Sequence, residues 1–242
     1  WNEAQTQWTA LSAAVTSKAL KAGESSTLHA RLIGVYFKLL DRLVDQSGLI
    51  LDPEPDSYFL IAASLVKLPL ATEALGQTRA RGAGFLAEKQ IGPEGRAMLA
   101  GLVQQASDHH NSMAAGFEKS FAINADMKRQ LSDKMRELSG LVEASLQLTR
   151  QELIAKDDIS LPAPDYIASY TKTIDAMFIA GEISMDALGG LLARRVAQLH
   201  ATNALAMTLV AGMMVGVFFT SRSISRSITV PLQNAAALAQ QI

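Results

Sequence analysis

From Leu28 to Leu199 the apolar residues recur at intervals of three and four, the period of helices that bury one face. A first stripe runs Leu28, Leu32, Val35, Leu39, Leu43, and a second Tyr58, Ile61, Leu65, Leu68, then Leu75 and Leu86. A third reads Leu99, Leu102, Ala106, His109, Met113, Phe117, Phe121, and a fourth Leu131, Met135, Leu138, Val142, Leu146, Leu153. The last, Met185, Leu188, Leu192, Val196, Leu199, leads into a longer apolar run. Strand-like alternation is almost absent. Turn chemistry separates the stripes at Ser47-Gly48 with Asp52-Pro53-Glu54-Pro55, at Gly92-Pro93-Glu94-Gly95, at Asn124 to Asp126, and at Asp157 to Pro164. These breaks predict helices over 1–46, 57–91, 94–122, 126–156 and from 164 onward.

Ala201 to Ser221 carries no charge. As a helix these residues span roughly 31 Å, one hydrocarbon core. A transmembrane helix is the reading, placed too late in the chain for a signal peptide. The only charges after it are Arg222 and Arg226, so that side is expected in the cytoplasm. Residues 1–200 hold all 23 acidic residues and look like a water-soluble, periplasmic domain of an inner-membrane protein. The chain opens on Trp1, as a fragment would, and a second span is expected before it. Trp1 and Trp8 share a helix face and suit either a membrane interface or the foot of a bundle.

A helix leaving the membrane and one returning to it demand an even number of external helices. A turn at Gly181-Glu182-Ile183-Ser184 supplies the sixth. A first helix of 46 residues, roughly 69 Å long, then calls for two stacked four-helix-type modules sharing it. A break at Ala22-Gly23-Glu24-Ser25 is the rival solution. The expected fold is therefore all-α: an elongated up-down bundle over 1–200, a membrane helix over 201–221, and a cytoplasmic start over 222–242. Within the span Ala204, Thr208, Gly212, Gly216 and Thr220 put a small residue at every fourth position, which favours close packing on another membrane helix.

Composition narrows the function classes. Hydrophobic residues make up 49% and charged residues 19%, with no cysteine, so thiolate zinc sites, disulfide scaffolds and cysteine nucleophiles are excluded. A net charge of -1 gives no sign of nucleic-acid binding. No nucleotide-binding glycine motif, HExxH or GxSxG is present, and neither enzyme activity nor a cofactor is implied.

After the span, Ser223-Ile224-Ser225-Arg226-Ser227-Ile228-Thr229-Val230-Pro231-Leu232 resembles the opening of a HAMP domain, with a seam at Ile224, Ile228, Pro231, Ala235, Leu238 and Ile242. Leu49 to Leu60, followed by Leu68-Pro69 and Leu75 to Arg79, resembles the helical periplasmic sensor region of bacterial methyl-accepting chemotaxis proteins. The resemblance implies a homodimeric receptor that binds a small solute outside, a small carboxylate in the bimodular variety. Ile228, Pro231 and Leu232 would then relay the signal to cytoplasmic signalling proteins. The sensor half of a histidine kinase or nucleotide cyclase is the alternative.

Two residues stand out as candidate ligand contacts. His109 falls on the third stripe as a core or pocket-lining histidine, whereas adjacent His110 points about 100° away, so the pair makes no metal site. Asp52, Glu54 and Asp56 read as capping and loop charges rather than a calcium loop. Arg79 continues the second stripe (Leu68, Thr72, Leu75, Arg79, Gly82, Leu86) among Gly76, Gly82 and Gly84. Either it receives an anionic ligand in a glycine-lined pocket, or it forms a buried ion pair with Asp45 or another acid.

Overall fold

A computed structural model describes residues 1–239, with the side chains of residues 22 and 237–239 left aside. It is all-α, without a strand among the described residues. The helices are α1 (Asn2–Thr16), α2 (Ala22–Gln46), α3 (Pro55–Glu88), α4 (Pro93–Ile123), α5 (Ala125–Thr149, prolonged by a π turn over Arg150–Ile154) and α6 (Ala163–Ile224). A π turn over Ser225–Thr229 then leads into α7 (Val230–Ala239). The chain divides into two compact units, Trp1–Gly190 and Leu191–Ile242.

In the first unit, α3, α4, α5 and the first part of α6 pack as antiparallel neighbours. Two glycines bring α4 close to α3. A Cβ on Gly95 would lie 2.8 Å from Cζ of Phe85, and one on Gly116 would lie 3.0 Å from Cβ of Ala63. Asn124 joins α4 to α5, its side chain accepting from the backbone N–H groups of Asp126 at 3.1 Å and Met127 at 3.0 Å. Its amide donates to the Asp56 carboxylate at 2.8 Å, tying this turn to the start of α3. Prolines open α3 and α4 at positions where a missing N–H costs nothing. Arg96 on α4 donates to the carbonyls of Ile154 (2.9 Å) and Lys156, closing the C-terminal end of α5.

The breaks lie partly elsewhere than expected. The predicted helix over 1–46 is interrupted at residues 17–21, immediately before the Ala22–Ser25 rival. Lys18 takes φ +54°, and the Ala19 N–H bonds the Ala14 carbonyl while Lys18 N–H bonds that of Val15, a Schellman stop built without glycine. Lys89 ends α3 the same way. The Glu24 carboxylate then accepts from the Lys21 N–H at 3.1 Å and starts α2. Conversely, the expected turn at Gly181–Ser184 does not form. Ser184 is fully buried and folds its hydroxyl back on the Ala180 carbonyl at 2.6 Å, and Gly181 faces Leu68. A glycine costs a helix only about 1 kcal/mol, too little to stop one packed this way.

Core seams also shift. On α4 the buried line is Leu99, Val103, Ala106, His110, Met113, Phe117, with His109 half-exposed. On α3 it passes through Leu68, Ala71, Leu75, Thr78, Gly82 and Leu86, leaving Arg79 on the flank. On α2 Leu32 and Val44 are buried while Leu28 and Leu43 are exposed, and on α6 Leu188 is buried while Met185 is exposed. The α5 stripe is buried residue for residue from Leu131 to Leu153.

Two of the three π turns stand just before a proline: Ala62–Lys67 before Pro69, and Ser225–Thr229 before Pro231. A proline lacks the N–H for the carbonyl four residues back and crowds it, and a wider turn accommodates both faults. In the second unit every described residue from 196 to 236 is exposed.

Candidate ligand site and membrane span

Arg79 sits half-buried where α3 meets α6, and its Nη1 donates to the Thr171 hydroxyl at 2.8 Å. It makes no ion pair with Asp45 or with any other acid among the described residues. The glycines around it are not equivalent. Space beside Gly76 and Gly84 is open, but a Cβ on Gly82 would lie 2.6 Å from Cε1 of Tyr166. The tyrosine ring therefore fills the notch that the pattern Gly76, Gly82, Gly84 suggested as a continuous pocket.

Behind Arg79 lies a buried hydroxyl chain that the sequence reading missed. Tyr166 OH donates to the Thr78 carbonyl at 3.1 Å and meets Thr149 Oγ1 at 2.9 Å, whose hydroxyl also has the Ser145 carbonyl at 3.4 Å as an acceptor. Thr149 in turn accepts from Tyr170 OH at 2.6 Å. Both tyrosines are fully buried, their rings 4.8 Å apart. Burial pushes both phenols above the ordinary tyrosine value, so they remain donors. Ser145 and Thr173 add a second contact between α5 and α6 at 2.8 Å. The spacing Tyr166, Tyr170, Thr173, Met177, a helical seam in its own right, was the available signal.

His109, the other predicted ligand contact, is half-exposed on α4, a helix away from the Arg79 contact between α3 and α6, and the structure does not join the two. Among the described residues no group of three or more His, Asp or Glu could hold a metal ion.

Among the described residues, two helices are long and apolar enough to cross a membrane. The apolar window of Pro55–Glu88 is 44% buried, as in the core helix it is, whereas none of the window in Ala163–Ala236 is buried. Gly212 and Gly216 lie in α6 with open space where a Cβ would be. Thr208 and Thr220 donate to the carbonyls of Ala204 (2.8 Å) and Gly216 (3.0 Å), so their hydroxyls need no water. Ile228 belongs to the π turn, and Pro231 and exposed Leu232 to the start of α7. Leu238's side chain and Ile242, the end of the predicted seam, lie outside the described residues.

Comparison with known protein families, with curated proteins and with solved structures gives no match.

Proposed function

We propose that the chain is part of a transmembrane receptor of the chemoreceptor type, with residues 1–200 outside the cytoplasm, a span over 201–221 and a HAMP-like beginning after Arg222. The observation that carries this reading is the charge-free, wholly unburied stretch of α6, flanked on its C-terminal side by arginines alone. Its partners in this reading are a lipid bilayer, a second copy of the chain, and cytoplasmic signalling proteins reached through Ile228, Pro231 and Leu232. The α1–α2 hairpin would form the second module of an elongated sensor bundle, since α1 packs on α2 and α2 reaches the π turn of α3.

The ligand is a small anion of the carboxylate class, received by Arg79. A half-buried guanidinium with a neutral hydroxyl for its partner has donors and charge to spare, and the space beside Gly76 is open. Binding would bias one of two arrangements of α3 against α6, since Arg79 and Thr171 bridge those helices. A thermal-shift screen of the chain against small organic acids should find a stabiliser. Arg79→Ala should then weaken binding at least about tenfold, the worth of one charge-assisted bond, with little loss of stability. A destabilised variant that binds with unchanged affinity when folded would reject the pocket.

A further inference from the structure

Arg79 stands in a furrow along one side of the contact between α3 and α6. Three contacts fix how these antiparallel helices are matched: Gly82 lies against Tyr166, Arg79 bonds Thr171, and Leu68 lies against Gly181. Gly76 is therefore level with residues 173–174, and Thr72 with residues 177–178. Residues seven apart return to nearly the same side of a helix, so Thr72 and Arg79 share one edge of α3, with Gly76 beside them. That edge faces away from α4, which α3 touches through Phe85 and Ala63. On α6, Ile167, Thr171, Ile174 and Phe178 follow one another by four, three and four residues and share an edge in turn. The other edge of α6, with Ala176 and Ile179, lies beside Leu138 and Leu141 of α5. The bond from Arg79 to Thr171 joins the first two edges, so they face each other across the furrow.

The furrow is charged at one point and apolar along the rest. Ile174 is buried at its floor, while Ile167 is 41% exposed and Phe178 63% exposed at its α6 wall. Phe178 lies roughly 10 Å along the axis from Thr171. Long side chains on a helix lean towards its N-terminus, which brings this ring back towards the level of Arg79. Space beside Gly76, between the two, is open. Arg79 is the one cation on either edge, because Arg81 and Lys172 fall on other faces of their helices. The Phe178 end is flanked by Asp175 and Glu182, both exposed. A second carboxylate on the ligand would meet a phenyl ring and two acids there.

Resting on the reading of Arg79 as an anion receptor, we propose that the furrow takes an amphipathic monocarboxylate, its head on Arg79 and its apolar tail over Ile174 against Phe178. The guanidinium has donors left for a carboxylate after its bond to Thr171. The tail covers apolar side chains that are otherwise left in water, and gains by leaving water itself. An exposed phenylalanine two turns from the cation thereby becomes the measure of tail length.

The whole chain in lipid nanodiscs is titrated by calorimetry with butyrate, hexanoate, octanoate, octan-1-ol and succinate, with empty nanodiscs as the blank. A methylene fully removed from water is worth about fourfold in affinity, and in a furrow open on one side about twofold. Octanoate should therefore bind about tenfold or more tighter than butyrate, with octan-1-ol and succinate both weaker than octanoate. Arg79→Ala should weaken octanoate about tenfold or more. Phe178→Ser, at a position exposed enough to leave folding intact, should cancel most of octanoate's advantage over butyrate. Equal affinity for the three acids, with Arg79 still required, overturns the tail and leaves the anion site standing. An octanoate advantage that survives Phe178→Ser, or octan-1-ol binding as tightly as octanoate, overturns it as well. Binding of none of the acids, or octanoate binding untouched by Arg79→Ala, removes the anion site and this proposal with it.

Discussion

Helix α3 and α6, through its 201–221 stretch, are both long and apolar enough to cross a membrane. They differ in what surrounds the apolar surface. Helix α3 turns Leu60, Ile61, Leu68, Ala71 and Leu75 into protein and places Glu73, Arg79 and Arg81 at or beyond the edge of that face. The α6 stretch has apolar or small residues all round, no charge, and no protein against it. A helix apolar on one side finds its solvent in a protein core; one apolar on all sides calls for burial all round, in a bilayer or within other protein. Hydropathy summed over a window does not distinguish the two, but the angular distribution of charge does.

The comparison breaks most readily on a charge placed in each helix. Leu75→Asp buries an unpaired carboxylate among α3's neighbours and should cost about 4 kcal/mol or more, enough to unfold the first unit. Met214→Asp should leave that unit's unfolding transition where it was. Its penalty, about 2.5–3.5 kcal/mol at a bilayer centre, should appear as chain released from membranes by alkaline carbonate. Chemical denaturation and carbonate extraction of both variants check this. A Met214 variant that unfolds like the Leu75 one would show the α6 stretch to be a core helix.

A smaller effect is expected from the polar seam by which α3 is held. Thr149→Val leaves Tyr170 without an acceptor and removes one of the partners of Tyr166, both tyrosines being fully buried. The loss should be about 1–3 kcal/mol, read as a lower urea midpoint with unchanged slope. No substitution of Thr208 or Thr220 should do the same, because those hydroxyls bond only their own helix.

The same contrast explains what the sequence made legible. Every position of the α5 stripe is buried because each is a large aliphatic residue or methionine, although buried Ser145 and Thr149 on the same helix escaped it. On α3 and α4 the expected seams share both end points with the real ones but take the three- and four-residue steps in the opposite order. Between Leu99 and Met113 the core runs through Val103 and His110 instead of Leu102 and His109. Between Leu68 and Leu86 it runs through Ala71 and Thr78 instead of Thr72 and Arg79. One residue is about 100° of rotation, enough to exchange a core position for a flank. Where apolar residues sit on both candidate lines, periodicity alone leaves the choice open, and only the partner helix decides it. The seam through Tyr166 and Tyr170 could have been read from its spacing, but its partners Thr149 and Thr78 could not: they lie far away in sequence, and each is an ordinary helix residue by itself. The stop at Lys18 was hidden because it uses a left-handed lysine where glycine is the usual signal.

The smallest effect sharpens the comparison at the edge of α3's apolar face. Glu73 is half-buried there, and burial raises its carboxyl above the ordinary value of 4.5, with the Gln77 amide, donating at 2.8 Å, pulling the other way. An acid whose pKa is raised on folding holds its proton more tightly in the native state. Its contribution to stability is complete below the unfolded value and is lost as pH rises through the folded one. At neutral pH the native state therefore bears a partly desolvated charge. Glu73→Gln keeps an acceptor for Gln77 and removes that charge. Water still reaches the site, so the gain should be modest, a rise in Tm of about 1–3 °C at pH 7. The advantage should close as pH falls below about 4.5 and the wild-type carboxyl takes up its proton. Melting curves of both proteins at the two pH values measure this directly. A Gln variant that melts lower than wild type at pH 7 would mean that the carboxylate is favourably paired, and that α3 accommodates charge on its apolar edge by partnership rather than by access to water.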